Sequence, residues 1–386
     1  MRILHIAPTP FFSDRGCHIR IRGIVSGLDG LDTTNRLCTY PIGRDDDAID
    51  TVRCLPVPGY RKTAAGPSAF KIIVDPLLVL TVVRQIRTFK PDVLHCHLHE
   101  GVLIGWLAKY LAFRPRLPLG FDVQGGLVSE LQSYGHLKHS LLRRLLRWIE
   151  SFVIARATVY FCSSEASVRL FADEYGVQHD RLNHVPDGSD IVIDDDDRRT
   201  ADSGIPVAVY AGGLTESKGS KTLQKIMRKA AERQLPLRFR IIGYPVDDMQ
   251  SFVEKHGLTN CELVGRVPFE SLAEHLASAS IALEPKSGET SEASGKLLNY
   301  MAATLPVVCF DTSNNRSMLD SAGYYAKDGS VDSFIDQLEA VLSDPGTAQS
   351  RAEAGHDRVQ STFSWRSSAS TILSNYRRLL PTSGTS

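Results

Sequence analysis

Residues 288–306, GETSEASGKLLNYMAATLP, join a polar stretch to an apolar-periodic run that ends at a proline. Ser294, Gly295 and Lys296 stand at the junction, where the pattern predicts that a helix begins. Backbone N–H groups at a helix start, together with a nearby cation, bind anions such as phosphate. A simple N-cap needs one hydroxyl, whereas several small or hydroxylic residues precede this helix. The junction therefore predicts a phosphate-binding site.

Two further stretches have the same character. PTPFFSDRGCH at 8–18 follows the first predicted strand and has Gly16 just before a predicted helix. AGGLTESKG at 211–219 has Gly213 and Lys218 between a predicted strand and the next helix. A lysine alone is more often an ordinary surface residue. Its position among glycines after a strand favours phosphate binding instead.

The elements that would position these loops are strands and helices in alternation. Short β-branched runs such as RILHIA (2–7), PVAVYAG (206–212) and PVVCFD (306–311) are separated by helical patterns. This alternation predicts parallel sheets built from right-handed βαβ units. Ligands of such sheets bind beyond the carboxyl ends of the strands, where all three loops are expected.

The chain length and one acidic segment predict two domains. A chain of 386 residues is long for one core. An acid run followed by polar residues and a glycine interrupts the strand–helix alternation before a fresh strand begins. We therefore predict a first domain at 1–193, a linker at 194–204 and a second domain at 205–362.

Composition excludes several classes of protein. Lys+Arg and Asp+Glu are balanced at 44 each, so no global field would recruit nucleic acid. The seven cysteines are scattered and predict neither a disulfide framework nor a zinc site. The N-terminal apolar run is too short for a signal peptide. We expect a cytoplasmic protein with at most peripheral contact at the inner face of a membrane.

Three alternating histidines on one predicted strand could bind a metal. His95, His97 and His99 alternate and are predicted to share one face of a strand, and His5 lies on the first strand. Because no acidic or cysteine cluster joins them on that face, we interpret them as core or cleft-edge residues. The basic segment at 59–71 is a candidate contact for a lipid-linked acceptor.

The polar stretch and the helix that follows it resemble a known signature. GETSEASGKLLNYMAATLPVVCFD is similar to the signature of the retaining glycosyltransferases of family 4. KPDVLHCHLHEGVLIG, VPDGSD, VYAGGLTESKG and VGRVPFESLAEHLASASIALEP resemble further parts of that family in the same order. The resemblance implies the GT-B fold, an α/β architecture of two Rossmann-like doubly wound parallel-sheet domains facing a central cleft. It also implies that the helix at 363–381 packs back on the first domain.

The resemblance implies an activity as well. Such enzymes transfer a hexosyl unit from a nucleotide-diphosphate sugar, here UDP rather than GDP, to a saccharide, lipid-linked or small-molecule acceptor. The anomeric configuration is retained, and no metal or other cofactor is required. The leaving diphosphate gains charge as the glycosidic bond breaks, so groups that stabilise it favour the transition state.

Residue roles follow from the same resemblance. Lys218 would be a cationic clamp on the diphosphate, and Gly16 would let its loop approach it. The residues implied in catalysis are Lys218, Glu292 and Gln124. The residues implied in donor binding are Gly16, Gly213, Arg266, Val267, Ser291, Ser294, Gly295, Lys296 and Asn299.

The sequence departs from the family pattern at several positions. Gly213 stands where the family has an arginine partner for the lysine. Asn299 replaces the glutamate that holds the donor ribose, and Gln124 replaces a first-domain histidine. Thr304 replaces a turn glycine and would need either a positive φ or a different turn.

Two alternatives stay open. A nucleotide-sugar epimerase on the same architecture would use carboxylates such as Glu100, Glu130 or Glu292 for proton transfer. A non-catalytic nucleotide-sugar-binding partner would bind donor without turnover. A dinucleotide dehydrogenase is disfavoured, because neither domain's first strand is followed by G-x-G-x-x-G.

Overall fold

A computed structural model describes residues 1–13, 15–61, 69–126, 140–193, 204–288 and 294–380, with side chains of the fourth segment from residue 144 onward. The chain divides into two compact units. The first comprises Met1–Asp187 and the C-terminal segment from Trp365, and the second comprises Gly188–Thr290 and Ser294–Ser364. Residues 194–203 of the predicted linker and residues 62–68 of the predicted acceptor-contact segment lie outside the described residues.

The first unit has a seven-stranded parallel sheet in the order β3-β2-β1-β4-β5-β6-β7. Its strands are β1 (Arg2–Ala7), β2 (Thr34–Thr39), β3 (Thr51–Arg53), β4 (Val93–His97), β5 (Leu119–Val123), β6 (Val159–Cys162) and β7 (Leu182–His184). Its helices are α1 (Gly16–Asp29), α2 (Lys71–Thr88), α3 (Leu98–Leu111), α4 (Ser140–Ile154), α5 (Glu165–Asp173) and, from the C-terminal segment, α13 (Trp365–Leu379), with a 3-10 turn at His179–Arg181.

The second unit has a six-stranded parallel sheet in the order β10-β9-β8-β11-β12-β13. Its strands are β8 (Val207–Ala211), β9 (Arg238–Ile242), β10 (Cys261–Gly265), β11 (Ile281–Glu284), β12 (Val307–Phe310) and β13 (Gly323–Ala326). Its helices are α6 (Ser220–Glu232), α7 (Asp247–His256), α8 (Leu272–Ala277), α9 (Gly295–Ala302), α10 (Ser313–Leu319), α11 (Val331–Ser343) and α12 (Pro345–Thr362), with 3-10 turns at Glu216–Lys218, Phe269–Ser271 and Asp320–Ala322.

Both sheets are doubly wound, as the sequence predicted. In each, the first three strands progress toward one edge and the chain then returns to the other side of the first strand. The order therefore reverses between β1 and β4 and between β8 and β11. Loops separate at such a reversal and leave space for a ligand beyond the strand ends. The interior strands are mainly apolar and buried, which is typical of parallel sheets covered on both faces, although several of them also contain buried polar residues.

One histidine prediction is wrong. Strand β4 ends at His97, and Leu98, with φ of 64°, begins helix α3. His99 therefore lies on the helix, where its ring packs against Phe121, and does not share a strand face with His95. The period-two alternation of histidines continued past the point where the backbone turns, so the pattern alone could not place the end of the strand.

Among the described residues, no helix combines the length and the apolar character that crossing a membrane requires.

Candidate functional site

The loop after β8 carries the predicted lysine. Lys218 ends the 3-10 turn Glu216–Lys218 and is half-buried. Gly219 follows with φ of 89°, in the left-handed region that favours glycine, and helix α6 begins at the next residue. Lys218 therefore lies just before the N-terminus of helix α6, at the carboxyl edge of the sheet. A cation at such a position suits an anionic ligand.

Tyr210, inside β8, organises this loop. Its buried hydroxyl donates to the carbonyl of Gly213 at 2.8 Å and also lies 3.3 Å from the carbonyl of Lys218. Burial, followed by the nearby Glu284 carboxylate, raises the pKa of Tyr210, so the hydroxyl stays protonated and able to donate. A Cβ placed on Gly213 would lie 3.7 Å from Cγ of Lys218, so the lysine side chain runs beside that glycine.

The loop after β11 contains a buried carboxylate that the sequence did not single out. Glu284, 1% exposed, accepts a hydrogen bond from the Ser294 hydroxyl on Oε2 and one from the Lys296 ammonium on Oε1, both at 2.8 Å. The Lys296 ammonium also lies 4.8 Å from the centre of the Tyr210 ring. The charge of Lys296 is thus directed back toward the strand end by an ion pair and an aromatic face.

Helix α9 begins at Gly295, as the junction in the sequence predicted. Ser294 is the N-cap residue, but its hydroxyl binds Glu284 and makes no cap hydrogen bond to the helix. The Ser294 side chain therefore caps no first-turn N–H group, although the Leu297 N–H donates to the Ser294 carbonyl at 3.0 Å, and Gly295 itself is exposed. A helix N-terminus of this kind can accept an anion.

The loops after β8 and β11 touch. A Cβ on Gly219 would lie 2.8 Å from the carbonyl carbon and oxygen of Pro285 and 2.9 Å from the nitrogen of Lys286. This close approach holds the loop that leads into α6 against the loop that leads toward α9. Ser291 and Glu292 lie outside the described residues, so their implied roles remain predictions.

A partly exposed tyrosine ring and an arginine follow the neighbouring strands β9 and β10. The Arg266 guanidinium, just after β10, lies 5.1 Å from the centre of the Tyr244 ring, which is 40% exposed just after β9. Val267 follows and is half-buried. A flat, partly exposed aromatic and guanidinium pair is the type of surface on which a nucleotide base can stack.

Asn299 lies on α9 and is half-buried. Its Oδ1 accepts a hydrogen bond from the Ser189 hydroxyl at 2.8 Å. At the end of the same helix Thr304 has φ of 54°, so of the two alternatives that the sequence left open the chain adopts the positive φ.

Two implied residues belong to the first unit. Gly16 is the exposed first residue of α1, and a Cβ added there would meet no atom within 4 Å. Gln124, just after β5, donates from Nε2 to Oδ2 of Asp122 at 2.9 Å. Gln124 is therefore oriented by a buried carboxylate that the sequence analysis did not identify.

That carboxylate belongs to a buried polar cluster in the first unit. Asp122 is paired with Arg20, whose Nη2 lies 2.7 Å from Oδ1, and with His97, whose Nδ1 lies 2.8 Å from Oδ2. Burial alone would raise the pKa of Asp122, but Arg20 and then His97 hold it well below its usual value. His5 and His95 complete the cluster. Burial, followed by His97, lowers the pKa of His5 to about 3.

Signals for the missed residues were present in the sequence. IALEP ends an apolar strand with a glutamate, and FDV in the strand 119–123 places an aspartate among apolar residues. Acidic residues in otherwise apolar strands of a parallel sheet are rarely buried without a partner. The glutamate and the aspartate in these two strands therefore each predicted a buried cation or hydrogen-bond donor as a partner.

Comparison with known proteins gives a consistent result. A family model described as a glycosyl transferase 4-like domain matches residues 15–188, and one described as glycosyl transferases group 1 matches residues 205–344. Together the two models cover most of the chain. The D-inositol 3-phosphate glycosyltransferase of Kribbella flavida is 24% identical, over 90% of this chain and 89% of that protein.

Solved structures share the fold. A sucrose-phosphate synthase from Thermosynechococcus elongatus superposes with a TM-score of 0.80 at 17% identity, over 98% of both chains. HepE of Anabaena, in complex with UDP, superposes with a TM-score of 0.76 at 13% identity, over 98% of this chain and all of that one.

Proposed function

This chain belongs to the glycosyltransferases of family 4 type with the GT-B fold, and on that premise we propose that it transfers a hexosyl unit from a nucleotide-diphosphate sugar with retained anomeric configuration. The observation that carries the proposal is the contact between Gly219 and Pro285. It joins the loop of Lys218 and the N-terminus of α6 to the loop that leads toward the N-terminus of α9. This arrangement concentrates positive potential where a diphosphate would bind.

The diphosphate is the part of the donor that these groups would hold. The Lys218 ammonium would contact one phosphate, and the N–H groups of Gly295 and Lys296 would contact the other. The Lys296 ammonium is paired with Glu284. We therefore propose that Lys296 binds the donor through its backbone, and that its side chain positions the start of the helix. Ser294 is held by the same carboxylate.

The nucleoside would extend from the diphosphate across the carboxyl edge of the sheet. Arg266, Val267 and the ring of Tyr244 would hold the base, and Asn299 would hydrogen-bond the ribose hydroxyls. We propose UDP as the nucleotide, which HepE, a protein of the same fold, binds in its solved complex. Gly213 supplies no second cation beside Lys218, so we expect donor affinity to be modest.

The proposed chemistry needs no protein nucleophile. The bond between the anomeric carbon and the diphosphate oxygen breaks while the acceptor oxygen bonds the same face of that carbon. The acceptor's proton passes to the leaving phosphate oxygen. Lys218 and the helix N-termini would stabilise the negative charge that develops on the departing diphosphate, so we propose that transfer does not depend on a metal ion. Ser291 and Glu292 are proposed to complete this site, and the roles that the resemblance implies for Gly16 and Gln124 of the first unit remain predictions.

The acceptor is proposed to be a saccharide, a lipid-linked sugar or a small molecule. The relative from Kribbella flavida is named for D-inositol 3-phosphate, which is therefore the first acceptor to test. Acceptor-binding loops vary among enzymes that share a scaffold, so the fold does not choose among these classes.

Thermal unfolding with nucleotides tests donor binding. UDP and UDP-glucose should raise the midpoint of the full chain more than GDP or ADP, because a ligand of the folded state stabilises it by mass action. Lys218→Ala should lose most of this rise. Lys221→Ala changes an exposed lysine in the first turn of α6 and should keep it. No rise with any nucleotide would contradict the proposed donor site.

Turnover separates the proposal from its alternatives. With an acceptor present, a transferase releases UDP and forms a glycoside whose anomeric configuration proton NMR reports. An epimerase would change the sugar without releasing UDP. A non-catalytic binder would show the thermal shift and no turnover with any acceptor.

A further inference from the structure

We propose that the first unit holds a divalent transition-metal ion of the Zn²⁺ class on His5, His95 and His97. One ring nitrogen from each histidine lies within 4.8 Å of the others, and all three side chains are fully buried. Neutral imidazole nitrogen is a preferred ligand of Zn²⁺ and its neighbours in the transition series. The site is made wholly of first-unit residues and does not depend on the proposed sugar transfer.

The sheet register brings the three rings together. His5 on β1 is the direct partner of His95 on β4, and His97 follows two residues later. Since side chains alternate along a strand, all three are on the same face of the sheet. The arrangement is fixed by backbone pairing of buried strands and does not require a loop to close.

Hydrogen bonds on the outer side of two rings orient their inner nitrogens. His97 donates from Nδ1 to the Asp122 carboxylate at 2.8 Å. Nε2 of His5 lies 3.2 Å from Oδ1 of Asn35, whose amide nitrogen donates to Asp29 and Thr33. Asn35 therefore presents its oxygen, and His5 must donate from Nε2. Metal-binding histidines are oriented in this way, by an outer acceptor that leaves the other nitrogen available.

The two inner nitrogens then face each other. Nδ1 of His5 lies 3.2 Å from Nε2 of His97. With the outer protons placed as above, two neutral rings would direct lone pairs at each other, so something positive must lie between or beside them. Two ligand nitrogens on one tetrahedral zinc ion are about 3.3 Å apart, given Zn–N bonds of about 2.0–2.1 Å. The observed separation fits that value.

His95 supplies an independent observation. Its Nδ1 lies 2.7 Å from the Tyr376 hydroxyl, while its Nε2 is fully buried and has no hydrogen-bond partner among the described residues. A Cβ on Gly120 would lie 2.2 Å from the Tyr376 hydroxyl oxygen, so glycine is needed there for this contact. A buried nitrogen without a partner costs free energy, and a metal ion would satisfy it.

The surrounding charges also suit a cation. Two carboxylates, Asp122 and Asp187, flank the single guanidinium of Arg20. Asp122, the carboxylate that contacts His97, is therefore paired with an arginine whose charge is shared with a second carboxylate. A bound ion would link β1 and β4, and through His95 and Tyr376 it would connect them to α13.

Metal content and a cobalt spectrum test the proposal. The purified full chain should contain close to one zinc per molecule by mass spectrometry. After refolding with one equivalent of Co²⁺ it should show the visible bands of tetrahedral cobalt without a thiolate charge-transfer band. All three tryptophans lie in the first unit, so their fluorescence reports its unfolding. The midpoint of thermal unfolding followed by tryptophan fluorescence should be about 5–10 °C higher for the Zn²⁺-bound protein than for the metal-free protein.

Variants distinguish this site from other metal-binding groups. His5→Gln and His97→Gln should each lower the bound metal at least tenfold, whereas His18→Gln, which changes another fully buried histidine, should leave it unchanged. Less than about a tenth of an equivalent of metal in the wild type, both as purified and after refolding with Zn²⁺, would overturn the proposal and leave a shared proton between His5 and His97. A thiolate band would overturn it too. These wild-type results decide the matter even if a histidine variant fails to fold.

Discussion

The ammonium group of Lys296 lies 2.8 Å from Oε1 of Glu284, and the pair is almost removed from solvent. The carboxylate ends strand β11 and the lysine stands in the first turn of α9. This ion pair therefore connects the end of the central strand to the start of the helix that is proposed to bind phosphate. The pairing also makes an acidic strand end compatible with the proposed anion site, because the carboxylate is paired with the Lys296 ammonium.

Breaking the pair from one side should destabilise the second unit. Lys296→Met leaves a buried carboxylate without its cation and should lower the free energy of unfolding by about 3 kcal/mol. The double variant Glu284→Gln/Lys296→Met should recover at least half of that loss, since neither charge remains. Urea unfolding followed by circular dichroism measures both. Lys225→Met, at an exposed position on α6, should change stability by less than about 0.5 kcal/mol. Equal losses in single and double variants would argue against this role of the pair.

Gly213→Arg should strengthen donor binding. Gly213 lies beside the Lys218 side chain, and its φ is not positive. A Cβ added there would lie 3.7 Å from Cγ of Lys218, an ordinary contact distance. A guanidinium at this position would add a charge-assisted hydrogen bond to a bound diphosphate, so the Kd for UDP should fall about tenfold. Isothermal titration at two salt concentrations measures it, with Gly213→Met as the uncharged control. Equal Kd values for the arginine and methionine variants would place the diphosphate elsewhere.

Asn299→Glu should act on the ribose alone. A carboxylate accepts hydrogen bonds from ribose hydroxyls more strongly than a neutral amide oxygen does, and the Ser189 hydroxyl can still donate to it. We expect the Kd for UDP to fall by about three- to tenfold, with no tightening of inorganic pyrophosphate. Gly213→Arg should tighten both ligands. Tighter pyrophosphate binding by Asn299→Glu would exclude the ribose assignment.

Gly219→Ala should disturb the contact between the loops that follow β8 and β11. The new methyl group would have to avoid the Pro285 carbonyl, and φ of 89° is unfavourable for alanine. Gly257→Ala is a matched control, because Gly257 has φ of 59° and nothing lies within 4 Å of its added Cβ. The control should cost about 1–2 kcal/mol in stability. Gly219→Ala should cost more and should also weaken UDP binding, as titration and urea unfolding would show. Equal costs would mean that Pro285 can move aside.

His18 should make the first unit sensitive to acid. Burial, followed by the charge of Arg15, lowers the pKa of His18 to about 3, from an unfolded value near 6.5. Below pH 6.5 His18 takes up a proton in the unfolded chain but stays neutral in the folded chain until the pH approaches 3. Stability is therefore lost as the pH falls from 6.5 toward 3, by up to about 1.4 kcal/mol per unit.

The measurement is tryptophan-detected urea unfolding at several pH values, for the wild type and His18→Gln. Glutamine cannot take up the proton, so the wild type should lose stability relative to the variant as the solution becomes more acidic. A constant difference between the two proteins across this range would show that His18 is protonated in the folded state.

The sequence predicted the elements of the site better than its contacts. The start of α9 at Gly295 and the position of Lys218 before α6 follow from local residue patterns, whereas the same patterns left two possible turns open at Thr304. Glu284 was not singled out, because strand patterns identify which positions are buried and give no indication of which distant group pairs with a buried charge. The end of β4 was misplaced for a related reason: alternating histidines continue past His97 into a helix.

The sequence by itself determined two doubly wound units and the loops at the carboxyl ends of their strands, since these depend on short-range periodicity and on where glycine and hydroxyl residues interrupt it. Only the tertiary structure decided that the Lys296 charge belongs to Glu284 and that three histidines from two strands meet beneath Tyr376. Those contacts join residues 12 to 281 positions apart. Strand order and register select such pairs, and neither is encoded in the spacing of any single segment.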